Sequence, residues 1–140
     1  MSEPTPVDAL PDYRFWCEEK TRNADTDKQG HVNNAVIATF FESGRIEVLS
    51  DPAIAEFRKT SNIVVVRMLI NIGRELFFPG KVRIGTRVSR VGRTSLDFAS
   101  ALFAENGEVA TSEVTCVLVD KATRKPTPIP EGMRVYLTGS

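Results

Sequence analysis

Apolar positions recur with a helical period in the first part of this chain and with a period of two in the second. Residues 13–21 gather Tyr13, Phe15, Trp16 and Cys17, the content of a first strand. A helix is predicted from Asn33 or Asn34, either of which can cap it, to about Ser50. At 100° per residue, Thr39, Ser43, Glu47 and Ser50 form a polar stripe, with Ile37, Phe41 and Val48 roughly opposite. Asn34, Glu42 and Arg45 project along the flank of the apolar stripe, and the spacing of Glu42 and Arg45 lets them pair. Asp51-Pro52 ends the helix. Residues 53–61 form a short linker, after which alternation predicts strands over 63–72, 81–91, 95–104 and 108–120. In the first of these, Val64, Val66, Met68, Ile70 and Ile72 share a face. In the second, Val82, Ile84 and Val88 point in, and Arg83, Arg87 and Ser89 point out. Residues 73–80 connect these two strands, Gly92-Arg93-Thr94 is a turn, and Asn106-Gly107 is a hairpin signal. Residues 123–130 are a polar, proline-rich exit.

The pattern is strand, helix, then a four-strand antiparallel meander. One helix and one sheet face must bury each other, which gives an α+β two-layer domain over 13–140 behind a loose arm, 1–12. The other sheet face keeps Ile63, Val65 and Leu69 beside Arg67 and Asn71. That mixture fits partial cover, or a sheet continuing into a partner.

Composition narrows the function classes. A chain of 140 residues with 41% hydrophobic residues can bury one core without staples. The formal net charge is zero, which removes a global reason to bind nucleic acid or an anionic membrane and mildly favours an oligomer. Cys17 and Cys116 make no disulfide framework, and a reduced, cytoplasmic setting is the simplest reading. The N-terminus has no basic and apolar secretory pattern, and the longest aliphatic run, 63–66, is too short to span a bilayer. One histidine and two distant cysteines do not supply a zinc site, and no nucleotide-binding loop or nucleic-acid motif is present. No metal or other cofactor is expected.

The candidate chemistry lies in residues 24–34, Ala-Asp-Thr-Asp-Lys-Gln-Gly-His-Val-Asn-Asn. Two carboxylates, the only histidine and two asparagines precede a helix N-terminus, which carries unpaired N–H groups and about half a positive charge. Asp27 can act as a nucleophile or base, and N–H groups at the helix start can polarise a carbonyl. The plainer alternative is that Asp25 and Asp27 order a turn. His31 is a proton carrier or a structural donor, Asn33 and Asn34 divide between capping and orienting, and Glu42 is a base or a partner of Arg45. Lys81, Arg83, Arg87, Arg90 and Arg93 run without an intervening acid, either as a solvated face or as a phosphate clamp to which Thr94 and Ser95 add hydroxyls. Phe40, Phe41, Phe77 and Phe78 line an apolar pocket or fill the core.

Asp25-Thr26-Asp27-x-x-Gly30-His31-Val32-Asn33-Asn34, Phe40-Phe41-Glu42-Ser43-Gly44-Arg45-Ile46-Glu47 and residues 87–95 resemble the hotdog-fold, 4-hydroxybenzoyl-CoA thioesterase-like acyl-CoA thioesterases. The resemblance covers 13–137. It implies an antiparallel sheet wrapped around one long central helix, and a homodimer or dimer of dimers with the active site at the subunit interface. It implies hydrolysis of an acyl-CoA or acyl-carrier-protein thioester in lipid metabolism, without a cofactor. Asp27 matches the catalytic carboxylate, as nucleophile or general base. Gly30 and His31 match the turn whose backbone N–H groups polarise the thioester carbonyl. A related Asp-x-Asn-x-His-x-x-Asn pattern with a helix glutamate falls on Asp27, Gln29, His31, Asn34 and Glu42 as catalytic positions, with Asn33 orienting. Gln29 replaces an asparagine there, and Ile37 a common tyrosine, which favours a site centred on Asp27. With such a substrate, the phosphate-clamp alternative for the basic run would hold coenzyme A on Arg87, Arg90, Arg93, Thr94 and Ser95. The rivals are a hotdog enoyl-CoA hydratase or dehydratase and a non-catalytic acyl-binding scaffold. Such hydratases space their Asp and His five apart, whereas Asp27 and His31 are four apart.

Overall fold

The computed structural model describes residues 13–28 and 30–139; the expected arm over 1–12 and Gln29 lie outside the described residues. The elements are β1 (Phe15–Lys20), α1 (Asn34–Leu49), the short α2 (Pro52–Ala55), β2 (Ser61–Ile72), β3 (Lys81–Val91), β4 (Ser95–Ala104), β5 (Gly107–Asp120) and α3 (Glu131–Thr138). Of the two candidate caps for α1, Asn33 takes the role, its side chain accepting from the Ala35 N–H at 2.8 Å. Ile37, Phe41 and Val48 are buried as the stripe predicts, and full burial of Phe41 stabilises the fold by roughly 1.5–3 kcal/mol. Gly44 lets the helix approach the sheet, because a Cβ there would lie 2.5 Å from Thr86 Oγ1.

The five strands form one antiparallel sheet in the order β1-β3-β4-β5-β2, packed against α1, which is the hotdog arrangement. The four-strand meander is corrected. Only β3, β4 and β5 follow one another in space, while β2 pairs with β5 at the far edge. Alternation separates strand from loop but does not say which strands are neighbours, and the connection 73–80 is long enough to cross the end of the sheet.

The face assignment of β2 is also corrected. A bulge between Val65 and Arg67 shifts the register, so Ile63, Val65, Met68 and Ile70 all lie opposite the buried side chains of β5. Val64 faces the other way. A period-two reading carried through an extra residue changes faces at that residue.

The C-terminal helix α3 has no counterpart in the sequence reading. Met133 and Leu137, four apart, are buried against the second half of the core, Pro130 precedes the helix, and Gly139 follows it with φ 74°. Among the described residues no helix is long and apolar enough to cross a membrane.

Thr86, Ser100 and Ser112 stand in register across β3, β4 and β5, all buried, with Ser100 donating to Thr86 Oγ1 at 3.0 Å. This polar row divides the core. One apolar cluster, including Val32, Ile37, Phe41 and Leu76, surrounds the start of α1; the other lies toward α2 and α3. The first cluster is the base on which the motif loop sits.

Candidate active site

The loop from Arg22 to Val32 is anchored by a buried carboxylate. Asp25 is almost inaccessible, and the Arg22 guanidinium donates to it at 2.7 Å, with the Arg22 backbone N–H at 2.9 Å. That guanidinium holds the Asp25 carboxyl below the usual carboxylate range, against the opposing effect of burial. The Asp25 carbonyl accepts from the Asn33 N–H at 2.9 Å, which ties the turn to the helix cap.

Between these anchors the chain makes a small hairpin. The Asp27 N–H donates to His31 O at 2.8 Å, and the Gly30 N–H to Asp27 O at 3.2 Å. Gly30 has φ 81°, a conformation that costs any side chain about 1–2 kcal/mol. The His31 N–H donates to Asp27 Oδ1 at 3.2 Å. The exposed Asp27 carboxylate is thus oriented by the loop that carries it.

The connection 73–80 closes against this hairpin. Val32 N–H donates to Leu76 O at 2.7 Å, and His31 bridges Phe77 through the backbone. The imidazole meets the Phe77 ring edge to face at 4.9 Å, and its Nδ1 lies 3.2 Å from Glu75 Oε1. The result is a cleft of about 460 Å³. Val32, Ile37, Ile72 and Leu76 give it an apolar wall; Asp27, His31, Asn33, Asn34, Arg74 and Glu75 give it polar groups.

At the helix start the expected donors are differently disposed. The N–H groups of Gly30 and His31 are directed to Asp27. Ala35 N–H is taken by the Asn33 side chain and Val36 N–H by the Asn33 carbonyl. Asn34, in the cleft wall, has an N–H with no acceptor among the described residues. Asp27, His31 and Asn34, the last with a helix N-terminal N–H that has no acceptor among the described residues, therefore line one apolar-walled cleft. That combination suits attack on a carbonyl whose oxygen gains charge.

The other expected site residues lie elsewhere in the chain. Glu42 is exposed on α1 and outside the cleft, and no ion pair within 4.0 Å joins it to Arg45. The expected pairing is corrected: Glu42 acts on the buried Arg45 only as a charge at a distance, and burial pulls the Arg45 pKa down. Three-residue spacing permits contact on a helix surface, but here one member points into the core and the other into solvent. The basic run follows β3 away from the cleft. Ile72 at the cleft pairs with Ala110, and Ser95 with Val117, which separates the two ends by roughly 23 Å at strand rise. Arg90 is held there by Asp97 at 2.9 Å and by Ser95 Oγ at 3.3 Å, while Arg87 and Arg93 are exposed. Arg83 stacks over Trp16.

Arg74 and Glu75, absent from the candidate residues of the sequence, line the cleft because the connection folds over the helix start. Neither has a periodic signature; the acidic-basic pair next to Leu76-Phe77 was the one available sign. Burial pushes the Cys17 thiol up to about 11, with Glu47 and Glu19 adding to the effect, so the nucleophilic thiolate is disfavoured. Among the described residues no group of three or more His, Cys, Asp or Glu is placed to hold a metal ion.

Residues 21–137 match the model of the thioesterase-like superfamily. No curated protein matches. A predicted thioesterase from Bacillus stearothermophilus is 28% identical with a TM-score of 0.80, covering 89% of this chain and 94% of that one. A thioesterase from Thermus thermophilus, solved with coenzyme A and Zn, is 28% identical with a TM-score of 0.76, covering 88% and 96%. A DHNA-CoA thioesterase from Staphylococcus aureus shares the fold at 24% identity and a TM-score of 0.73, covering 81% and 79%.

Proposed function

The chain belongs to the thioesterase-like superfamily, and on that premise we propose that it hydrolyses acyl-CoA thioesters to a free acid and a thiol at the cleft around Asp27. The observation that carries this reading is one apolar-walled cleft lined both by Asp27 and by Asn34, whose N–H has no acceptor among the described residues. In this reading Asp27 takes a proton from water as the water attacks the thioester carbon. The negative charge that develops on the carbonyl oxygen is met by the Asn34 N–H, reinforced by the α1 dipole. Gly30 and the His31 backbone hold Asp27 at its angle. His31 offers its ring to the same water, and Asn33 fixes the helix start through its cap. Collapse of the tetrahedral species expels the thiol, which leaves with the proton taken from water.

A second subunit completes the site in this reading. β2 is an edge strand, and Val64, Val65, Val66, Met68, Leu69 and Ile72 on it are exposed large hydrophobics. Such an edge invites pairing with another strand. A two-fold antiparallel β2–β2 pairing exchanges the two ends of the sheet. The partner's β3–β4 turn would then approach this cleft, bringing basic side chains toward the phosphates of coenzyme A. Glu42, exposed on α1, would face the partner's site rather than its own.

The coenzyme A carrier of the Thermus thermophilus neighbour supports an acyl-CoA over an acyl-carrier-protein substrate. The test is thiol release, followed with a chromogenic disulfide reagent, across acyl-CoAs from acetyl to palmitoyl and including aromatic acids. The account expects release with at least one acyl group. Binding without release from any of them would support the scaffold alternative. Loss of an enoyl double bond without thiol would support the hydratase.

A further inference from the structure

We propose that Glu75 is a positioning residue for His31, fixing which ring nitrogen carries the proton and leaving the other to hold the hydrolytic water. The proposal rests on the hydrolytic reading above and goes further by assigning a residue outside the motif. Glu75 comes from the connection 73–80, which the chain folds back onto the motif hairpin through two backbone contacts, Val32 N–H to Leu76 O and the His31–Phe77 bridge. Glu75 Oε1 then lies 3.2 Å from His31 Nδ1, and Phe77 packs edge to face on the same ring at 86°. Two side chains of one segment thus limit the imidazole from two sides. Both His31 and Glu75 line the cleft that Asp27 enters.

A carboxylate at Nδ1 has one chemical consequence for a neutral imidazole. The negative charge 3.2 Å away favours the tautomer with the ring proton on Nδ1, which leaves Nε2 as the acceptor. His31 Nε2 has no partner among the described residues. A water between Asp27 and His31 would then place one hydrogen on the Asp27 carboxylate and the other on Nε2. Both lone pairs of that water stay free, and one attacks the thioester carbon as Asp27 removes the first proton. With the proton on Nε2 instead, the ring would donate to the water oxygen, which ties up one lone pair, lowers the nucleophilicity of the water and turns it away from the attacking geometry. The remaining charged groups around the cleft are Asp27 and Arg74, and the Arg74 Nη1 donates to Asn106 O at 3.0 Å, toward the β4–β5 turn. Glu75 is therefore the acceptor placed to set the tautomer.

His31 is the only histidine in the chain, so its two ring nitrogens give an isolated pair of signals in long-range proton–nitrogen correlation spectra. The spectra are taken on full-length protein without substrate, at a pH where the ring is neutral. The expected result is the Nδ1–H tautomer in the native protein, loss of that preference in Glu75→Ala, and its retention in Glu75→Gln, whose amide oxygen accepts the same hydrogen. In thiol-release assays Glu75→Ala is expected to lower kcat about tenfold with KM unchanged, and Glu75→Gln to recover most of it. The Glu75 side chain is 61% exposed, so both variants should fold, as circular dichroism checks. A native ring already carrying its proton on Nε2, a tautomer unmoved in Glu75→Ala, or an unchanged kcat in Glu75→Ala overturns the proposal. The spectra need no activity, so failure of the tautomer assignment is distinct from failure of the hydrolytic reading, which appears as no thiol release from the native protein.

Discussion

Arg22 and Asp25 determine whether the motif loop keeps its shape. The Arg22 side chain is 74% exposed and the Asp25 side chain 1%, so the arginine reaches from solvent to neutralise a carboxylate that the fold has buried. Arg22→Ala leaves that carboxylate without its charged partner and should lower the urea midpoint at neutral pH, read through Trp16 fluorescence. The pH dependence has a definite sign. Arg22 depresses the folded Asp25 pKa, so this contribution is present above the unfolded value near 4 and is lost as pH falls through the lower folded value. Arg22→Ala should therefore raise the pH of acid unfolding. At this scale the sequence was informative about Gly30 and Asn33, whose positive φ and helix cap follow from residue type. It was uninformative about Glu75, because its partner His31 stands far off in sequence and only the fold of a non-periodic connection joins them.

The elements α1 and the sheet meet at Gly44, and their separation sets the height of the cleft above the core. Gly44→Val would drive side-chain atoms into Thr86 Oγ1 and Ile84 Cγ2, which a Cβ alone approaches to 2.5 and 2.8 Å. The expected cost is about 1–3 kcal/mol, visible as a lower thermal midpoint by circular dichroism. An unchanged midpoint would mean that the helix rides farther from β3 than described. The boundaries of β3 and β4 were legible to the residue, since Gly92-Arg93-Thr94 and Asn106-Gly107 punctuate a clean alternation. The β2 bulge was not, because Val64, Val65 and Val66 are chemically alike and an inserted position among them leaves no mark in the pattern. In α3, Gly132 near the start weakens the helical signal while giving room to the Phe57 ring, whose edge a Cβ would approach to 2.6 Å.

The whole molecule leaves one edge of its sheet apolar. With zero formal charge and a β2 edge rich in exposed Val, Met, Leu and Ile, a protomer in isolation would be prone to association. Val66→Lys places a charge on that edge at the bulge, where the native side chain is 60% exposed. The account expects native protein to run as a dimer or larger by light scattering. It expects Val66→Lys to shift toward monomer with reduced thiol release while circular dichroism is retained. A native monomer, or a monomeric variant with full activity, would remove the partner from the site. The mixed second face of β2 gave the sequence its sign of a partner. Strand order was hidden, because it depends on where the connection 73–80 crosses, and no local pattern records that.

The measurement that bears most directly on the central claim is thiol release by Asp27→Asn, with the best acyl-CoA found for the native protein. Asparagine keeps the size of the side chain and an oxygen to accept the His31 N–H, now 3.2 Å from Asp27 Oδ1, but cannot take a proton from water. The expected outcome is a kcat lower by about 100-fold or more, with the same mass by light scattering and the same thermal midpoint within a few degrees. Native-level thiol release by Asp27→Asn would contradict it.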